Sequence, residues 1–141
     1  MEIAFAFLAD QAVLPPDGKF YVLGGGLATL ALPELPYRFG FCVVAGFRFQ
    51  ASELVQARSV EVRLIDSQSK LVVTPATVNF PSGMAPDGAE EVTVQTVIQL
   101  VAMFGEPGQY AVQIWAEQQL MTTIKLGVRE RQQPELGPRP N

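Results

Sequence analysis

The 141-residue sequence contains no histidine and a single cysteine. Without histidine, the chain has no imidazole for a Ser-His-Asp or Cys-His nucleophile, for general acid–base chemistry near neutral pH, or for a histidine-containing zinc site. One cysteine excludes an intrachain disulfide, a CxxC redox pair and a multi-thiolate cluster. We therefore expect a protein that is not an enzyme and that holds no metal and no cofactor.

Charge is also scarce in this sequence. Charged residues make up 17% of it, and ten Lys plus Arg against fourteen Asp plus Glu give a net charge of −4. An acidic balance argues against a nucleic-acid partner. No apolar run approaches the roughly 18 residues of a membrane-spanning helix.

The opening residues, MEIAFAFLA, are apolar but hold Glu2 and no Lys or Arg, and Asp10 ends the run. A secretory signal has a basic region before a longer apolar core, so a buried first strand is the better interpretation. The unpaired cysteine fits a reducing compartment. We expect a cytoplasmic protein without a membrane partner.

Hydrophobic residues, by contrast, make up 48% of the sequence. They lie in short runs rich in Val, Ile, Phe, Tyr and Thr, and turn-forming sequences separate the runs: PPDG at 15–18, GGG at 24–26, PELP at 33–36, DSQSK at 66–70, PSGMAPDG at 81–88, GEPG at 105–108 and EQQ at 117–119. This spacing predicts an all-β protein, an antiparallel β-sandwich of about seven to nine strands.

The pattern of apolar residues separates two kinds of strand. Apolar and polar residues alternate at 58–66, 91–100, 109–117 and 120–128, as in strands with one face on a core and the other in water. The stretches 3–9 and 39–49 are apolar on both faces. Such strands are usually covered on both sides, so we expect them to be central or to lie under a loop or a partner subunit.

Two further segments limit where strands can form, and the C-terminal composition sets the predicted domain boundary. Pro75 interrupts 71–80, which predicts an edge strand or two short strands with a break, and SELVQA at 52–57 allows a helical turn at most. We expect one domain over 1–128, followed by a polar, Pro-rich tail over 129–141 that is disordered when alone in solution.

The run Gly24, Gly25 and Gly26 is the first candidate site. Consecutive backbone N–H groups can converge on an anion, and Lys19 lies near in the sequence, so an anion nest is one hypothesis. The other is a bulge or tight bend between two strand pieces, YVL and LATLAL. A dinucleotide fingerprint is excluded because Thr29 stands where the last glycine of GxGxxG belongs.

The second candidate site is an interface. Trp115 falls on the polar face of its strand, between Gln113 and Glu117, and an exposed Trp is typical of interface hot spots. The alternative is that the tail or a neighbouring loop covers it. The other candidate interface is the second face of 39–49, which carries Gly40, Cys42, Val44 and Gly46.

The chemistry-bearing side chains have simpler interpretations. Cys42 has only apolar and glycine neighbours on its own strand, so we expect a buried and inert thiol. The acids near turns, Asp10, Asp17, Asp87, Glu90 and Glu91, lack the spacing of a Ca²⁺ loop and are typical of solvated turns.

Three blocks together resemble an uncharacterised bacterial β-sandwich domain family: FAFLAD at the start, DGKFYVLGGG at 17–26, and GEPGQYAVQIWAEQQL at 105–120. The resemblance covers 1–128. It implies an immunoglobulin-like or C2-like β-sandwich with no known role and no catalytic residues to transfer. Aspartate-bearing loop pairs of a calcium-binding C2 domain are missing, which argues against a Ca²⁺-dependent membrane role.

Three functions remain open at this point. The first is a non-enzymatic binding or structural module that associates with copies of itself or with a protein partner. The second is a small-ligand or anion-binding protein that uses the Gly24–Gly26 bend. The third is a subunit of a larger bacterial assembly, joined by strand addition through an edge such as 71–80 or the first strand.

Overall fold

The structure is a computed structural model, and it describes residues 1–132. This part of the chain forms nine strands: β1 (Glu2–Val13), β2 (Tyr21–Gly25), β3 (Thr29–Leu32), β4 (Tyr37–Gln50), β5 (Arg58–Ile65), β6 (Ala76–Phe80), β7 (Glu91–Phe104), β8 (Gly108–Ala116) and β9 (Gln119–Glu130). A short 3-10 helix, Ala51–Val55, links β4 to β5. Within residues 1–132, no helix has the length and hydropathy to cross a membrane.

The strands form two sheets that pack face to face. Sheet A has the strand order β2-β1-β4-β7, and sheet B has the order β3-β9-β8-β5-β6. The prediction of a β-sandwich is therefore confirmed. One strand pair departs from the antiparallel arrangement, because β3 runs parallel to β9, with Thr29 opposite Gly127.

The core lies between the sheets and is rich in phenylalanine. Phe41, Phe47 and Phe49 of β4 are fully buried on the inner face of sheet A. The ring of Phe80, at the end of β6, meets the rings of Phe47 and Phe49 edge to face at centroid distances of 5.3 and 5.0 Å. Such aromatic pairs add to the stability that burial alone gives.

The two doubly apolar stretches take the positions that the sequence predicts. β1 and β4 are the two inner strands of sheet A. β1 pairs with β4 from Glu2 to Ala9 and with β2 from Ala9 to Val13, so the two pairings overlap at Ala9. Both strands are covered above and below, which is why polar residues are rare on either face.

The strand edges also follow the local sequence. Pro75 immediately precedes β6, which lies at the outer edge of sheet B, so the predicted edge strand is confirmed. β9 continues to Glu130, two residues beyond the predicted domain boundary at 128, because its last residues pair with β3. Residues 133–141 of the expected tail lie outside the described residues.

The three glycines lie where the chain passes from one sheet to the other. β2 ends at Gly25 in sheet A, and β3 begins at Thr29 in sheet B. Gly24 and Gly26 have φ angles of +66° and +78°, a region that side chains rarely adopt. The bend that the sequence allows between two strand pieces is therefore present, and it connects the two sheets.

Candidate interaction surface

The outer face of sheet A is built by the alternation of β4. Its odd-numbered residues point into the core, so its even-numbered residues point outward, including the four that the sequence singles out: Gly40, Cys42, Val44 and Gly46. Val44 is fully buried and Cys42 is 6% exposed, although both lie on the outside of the sheet. Something other than sheet B must therefore cover them.

Phenylalanine side chains of the same chain provide part of the cover. Phe7 of β1 lies opposite Val44, and Phe5 lies opposite Gly46. A Cβ added at Gly46 would overlap the Phe5 ring, so glycine is what allows this ring to lie so close to β4. Phe20, from the β1–β2 connection, brings its ring within 5.7 Å of the Phe5 ring centroid. We call Phe5, Phe7, Phe20 and Val44 the outer cluster.

Other apolar side chains of this face stay in contact with solvent. At one corner, Tyr21 is 59% exposed and Leu23 is 67% exposed, and Val13 lies directly opposite Tyr21. On the far side, Val101 and Met103 of β7 are 38% and 55% exposed. Together with the outer cluster, they form apolar areas on a face that also carries the uncharged polar residues Gln11, Thr93, Gln95 and Gln99.

Charged groups on this face lie near its two ends. Arg48 places Nη1 at 3.0 Å from an oxygen of Glu2 and Nε at 3.2 Å from an oxygen of Glu91. The hydrogen bond to Glu2 raises the pKa of Arg48. Arg38 lies near the opposite end of β4, and the described strand residues between these ends carry no charge on the outer face.

The outer face of sheet B has a different composition. Its strands present Glu61, Arg63 and Lys125 among threonines and glutamines, and the Nε of Arg63 lies 2.6 Å from an oxygen of Glu61. Leu120 is the exposed aliphatic residue here, at 40%. This face is an ordinary solvated sheet surface.

Trp115 lies on this polar face, as its position between Gln113 and Glu117 predicts. The guanidinium of Arg63 stacks on its ring at 4.5 Å from the centroid. Its indole N–H donates a hydrogen bond to the side-chain oxygen of Gln113 at 3.0 Å. A neighbouring strand thus covers part of the ring, and Trp115 lies half-buried on the opposite side of the sandwich from the Cys42 face.

The edge strand β7 leaves one side without a strand partner in the described chain. The N–H of Ala51 bonds to the carbonyl of Glu90, which continues the β4–β7 ladder and fixes its phase. Even-numbered residues of β7 therefore bond to β4, and odd-numbered residues from 91 to 103 direct their N–H and C=O groups to the free side. β7 has 14 residues, no Pro and no Lys.

The glycine bend is occupied by a carboxylate. A Cβ added at Gly24 would overlap the side chain of Asp10, so the Asp10 carboxyl group lies against the bend. The N–H of Leu27 bonds to the carbonyl of Leu8, and Gly25 pairs with Ala9. Lys19 is exposed, and its backbone N–H bonds to Asp17. A negative charge at this position disfavours an anion nest.

At one end of the sandwich, Glu53 of the 3-10 helix binds two donors. One carboxylate oxygen pairs with the ammonium group of Met1, and the other accepts a hydrogen bond from the N–H of Gln50 at 2.9 Å. The ammonium group first, and the backbone N–H second, lower the pKa of Glu53. A cleft of about 380 Å³ opens beside them.

A cleft of about 440 Å³ lies at the other end, beside the β7–β8 turn. Its floor includes Tyr110, whose hydroxyl donates to the carbonyl of Glu106 at 2.7 Å. No group of three or more Cys, Asp or Glu in residues 1–132 is arranged to hold a metal ion. Cys42 is buried, as the sequence predicts for an inert thiol.

The comparisons with known proteins give a family. A model described as a family of unknown function, DUF6941, matches residues 4–129. The chain belongs to this family. The match starts in β1 and ends in β9, so it spans the whole sandwich, and the resemblance to an uncharacterised domain family is confirmed. A search of the curated proteins finds no match.

Sequence reasoning finds part of this surface. It identifies the Cys42 face as needing a cover, but it misses Tyr21, Leu23 and the free side of β7. The YVLGG segment and the low charge of 91–104 are the available signals. Which strand is an edge depends on the sheet order, and local alternation does not contain that order.

Proposed function

We propose that the protein is a non-enzymatic β-sandwich module that associates with other copies of itself, and that sheet A supplies the association surface. The observation that carries the proposal is the contrast between the two outer faces. The face of sheet A has exposed Tyr21, Leu23 and Met103 around the outer cluster, whereas the face of sheet B is polar.

The location of the charges supports the same surface. Contiguous apolar patches beyond a few hundred Å² are unusual on monomeric proteins and are typical of interaction sites. Charged residues are depleted in the centres of interfaces, where desolvation costs most. On sheet A, the ion pairs of Arg48 lie at one end, which leaves the centre free of charge.

The anion-binding alternative has less support. It needs N–H groups of the glycine bend to face a ligand, but Asp10 lies against Gly24 and Leu27 donates its N–H to Leu8. Association with a protein of different sequence would use the same apolar surface. A lone buried Cys42 fits a cytoplasmic module.

Sedimentation velocity over a range of concentrations tests the proposal. We expect the purified chain to form dimers or larger species at micromolar concentration. The double variant Val101→Asp/Met103→Asp should weaken association by about tenfold or more, since it adds charges to the apolar surface.

The matched control is Leu120→Asp, which adds the same kind of charge at an exposed apolar residue of sheet B. It should leave the mass distribution unchanged. A wild-type chain that stays monomeric at high micromolar concentration would remove self-association from the proposal.

A further inference from the structure

The four sheet edges of the sandwich differ in how open they are. β2 and β3 are five and four residues long, and β6 has five residues with Pro75 just before it. β7 is a 14-residue edge whose one charged side chain is Glu91. Natural proteins usually protect long edges with Lys, Pro or a bulge, and β7 has none of these.

We infer that β7 pairs antiparallel with β7 of a second copy, about a twofold axis at Val97, so that the two A sheets join into one eight-stranded sheet. This inference rests on the proposed self-association and places the contact at the β7 edge of sheet A, with the outer face beside it. The occupant of the free edge is thus an identical chain, and the contact is backbone hydrogen bonding.

The register follows from the phase of the β4–β7 ladder. The residues whose N–H and C=O groups face the free edge are the odd-numbered ones from 91 to 103, and Val97 is their midpoint. With a twofold axis there, each of these residues lies opposite a residue of the second copy and exchanges both of its backbone hydrogen bonds with it. Any shift along the strand leaves some of these groups unpaired.

The side chains fit the same register. It places Gln95 opposite Gln99 of the second copy, twice. Both are uncharged polar side chains, so this pairing places no charge between the two strands.

Charge does not oppose this pairing. In the Val97 register, Glu91 lies opposite Met103 of the second copy, so the two Glu91 carboxylates stay far apart. Val97 lies opposite Val97, and Thr93 lies opposite Val101, which are favourable pairs for a half-buried sheet surface. The described chain ends beside β3, where Arg131 bonds to Leu32, on the other side of the sandwich from β7.

Cysteine cross-linking tests the register. In a full-length Cys42→Ala chain, Val97→Cys supplies the single thiol. Directly opposed residues of a hydrogen-bonded antiparallel pair have Cα atoms about 5.5 Å apart, which is within the range that a disulfide spans. We expect mild oxidation to convert most of this variant to a covalent dimer.

The matched control is Gln99→Cys in the same background. In the inferred register, the two thiols that this substitution introduces are four positions apart along the strands, about 13 Å. That distance is too long for a disulfide, so this variant should stay uncross-linked. Efficient cross-linking of Gln99→Cys, or failure of Val97→Cys in a chain that is dimeric by mass, overturns the inference and leaves self-association standing.

Gln99→Pro blocks the edge without touching the internal ladder, because the N–H of Gln99 faces the free side. We expect it to weaken the dimer by about tenfold or more while urea denaturation still shows a cooperative fold. Leu23→Asp, on the far corner of sheet A, should leave the dimer intact. A dimer that Leu23→Asp dissociates and Gln99→Pro does not would show face-to-face packing instead, and a monomeric wild-type chain would overturn both proposals.

Discussion

The outer faces of the two sheets differ in composition, although they belong to the same sandwich. Sheet B follows the usual arrangement, with apolar residues inward and polar residues outward. Sheet A is apolar on both sides along β1 and β4, where the outer cluster forms a second, thin core with side chains from Phe5, Phe7 and Phe20. A residue that points away from the main core can therefore still be sensitive to substitution. We expect substitutions on the outer face of sheet A to lower the free energy of unfolding more than those on the outer face of sheet B.

The largest difference is expected for a buried charge. Val44→Asp places a carboxylate beneath the outer cluster with no cationic partner at hand, and it should lower the free energy of unfolding by about 3–5 kcal/mol. Thr123→Asp, on the exposed face of sheet B, should change it by less than about 0.5 kcal/mol. Urea denaturation measures both. Equal, small effects would mean that Val44 is in contact with water.

Two strand glycines give the next comparison. Gly46→Ala forces the Phe5 ring to move, and we expect a loss of about 1–3 kcal/mol. Gly127 lies on the outer face of sheet B, where an added Cβ would meet the Thr29 hydroxyl oxygen at an ordinary 3.5 Å. Gly127→Ala should be neutral or stabilise the fold by about 0.4–1 kcal/mol. Thermal unfolding of the two variants side by side decides the point.

A smaller effect is expected at Trp115, the large aromatic residue on the outer face of sheet B. Arg63→Ala removes the guanidinium from the Trp115 ring and should cost about 0.5–1 kcal/mol. Because the chain has one Trp, its fluorescence reports on this position directly. We expect a red-shifted emission from the newly exposed ring, and Lys125→Ala as the control should leave the spectrum unchanged.

An effect of similar size is expected at Glu53, in the 3-10 helix that links β4 of sheet A to β5 of sheet B. The folded state lowers the pKa of Glu53, so this carboxylate stabilises the fold above the pKa that it has in the unfolded chain, and the contribution is lost as the pH falls through the folded pKa. Glu53→Gln should cost about 0.5–1 kcal/mol at neutral pH. The gap between variant and wild type should close in strongly acidic solution, which urea denaturation at several pH values measures.

The sequence predicts most strands of this fold because burial of one strand face produces an alternation of apolar and polar residues along the chain. Alternation identifies β5, β7, β8 and β9, and the doubly apolar β1 and β4 are recognised as covered strands. The parallel β3/β9 pair is not predictable in this way, because partners so distant in sequence share no local pattern. The same holds for the role of the glycine bend, which depends on β2 and β3 lying in different sheets.

The candidate surface shows the same limit. The sequence indicates that the outward residues of β4 need a cover, but the side chains that provide it depend on the β1–β4 register, which shifts between Ile3 and Phe5. Local alternation places Trp115 on the correct face, while its stacking on Arg63 depends on the β5–β8 pairing. The free edge of β7 depends on the order of four strands and on nothing within β7 itself.

The parallel β3/β9 pair has a consequence for how the chain is made. All four strands of sheet A precede residue 105, whereas β8 and β9, which occupy the middle of sheet B, are synthesised last. Until β9 leaves the ribosome, β3 has no strand partner, and the phenylalanines on the inner face of β4 lack much of their cover. A stalled or truncated product therefore exposes the sandwich's most apolar surface, and such chains are natural clients for chaperones and proteases.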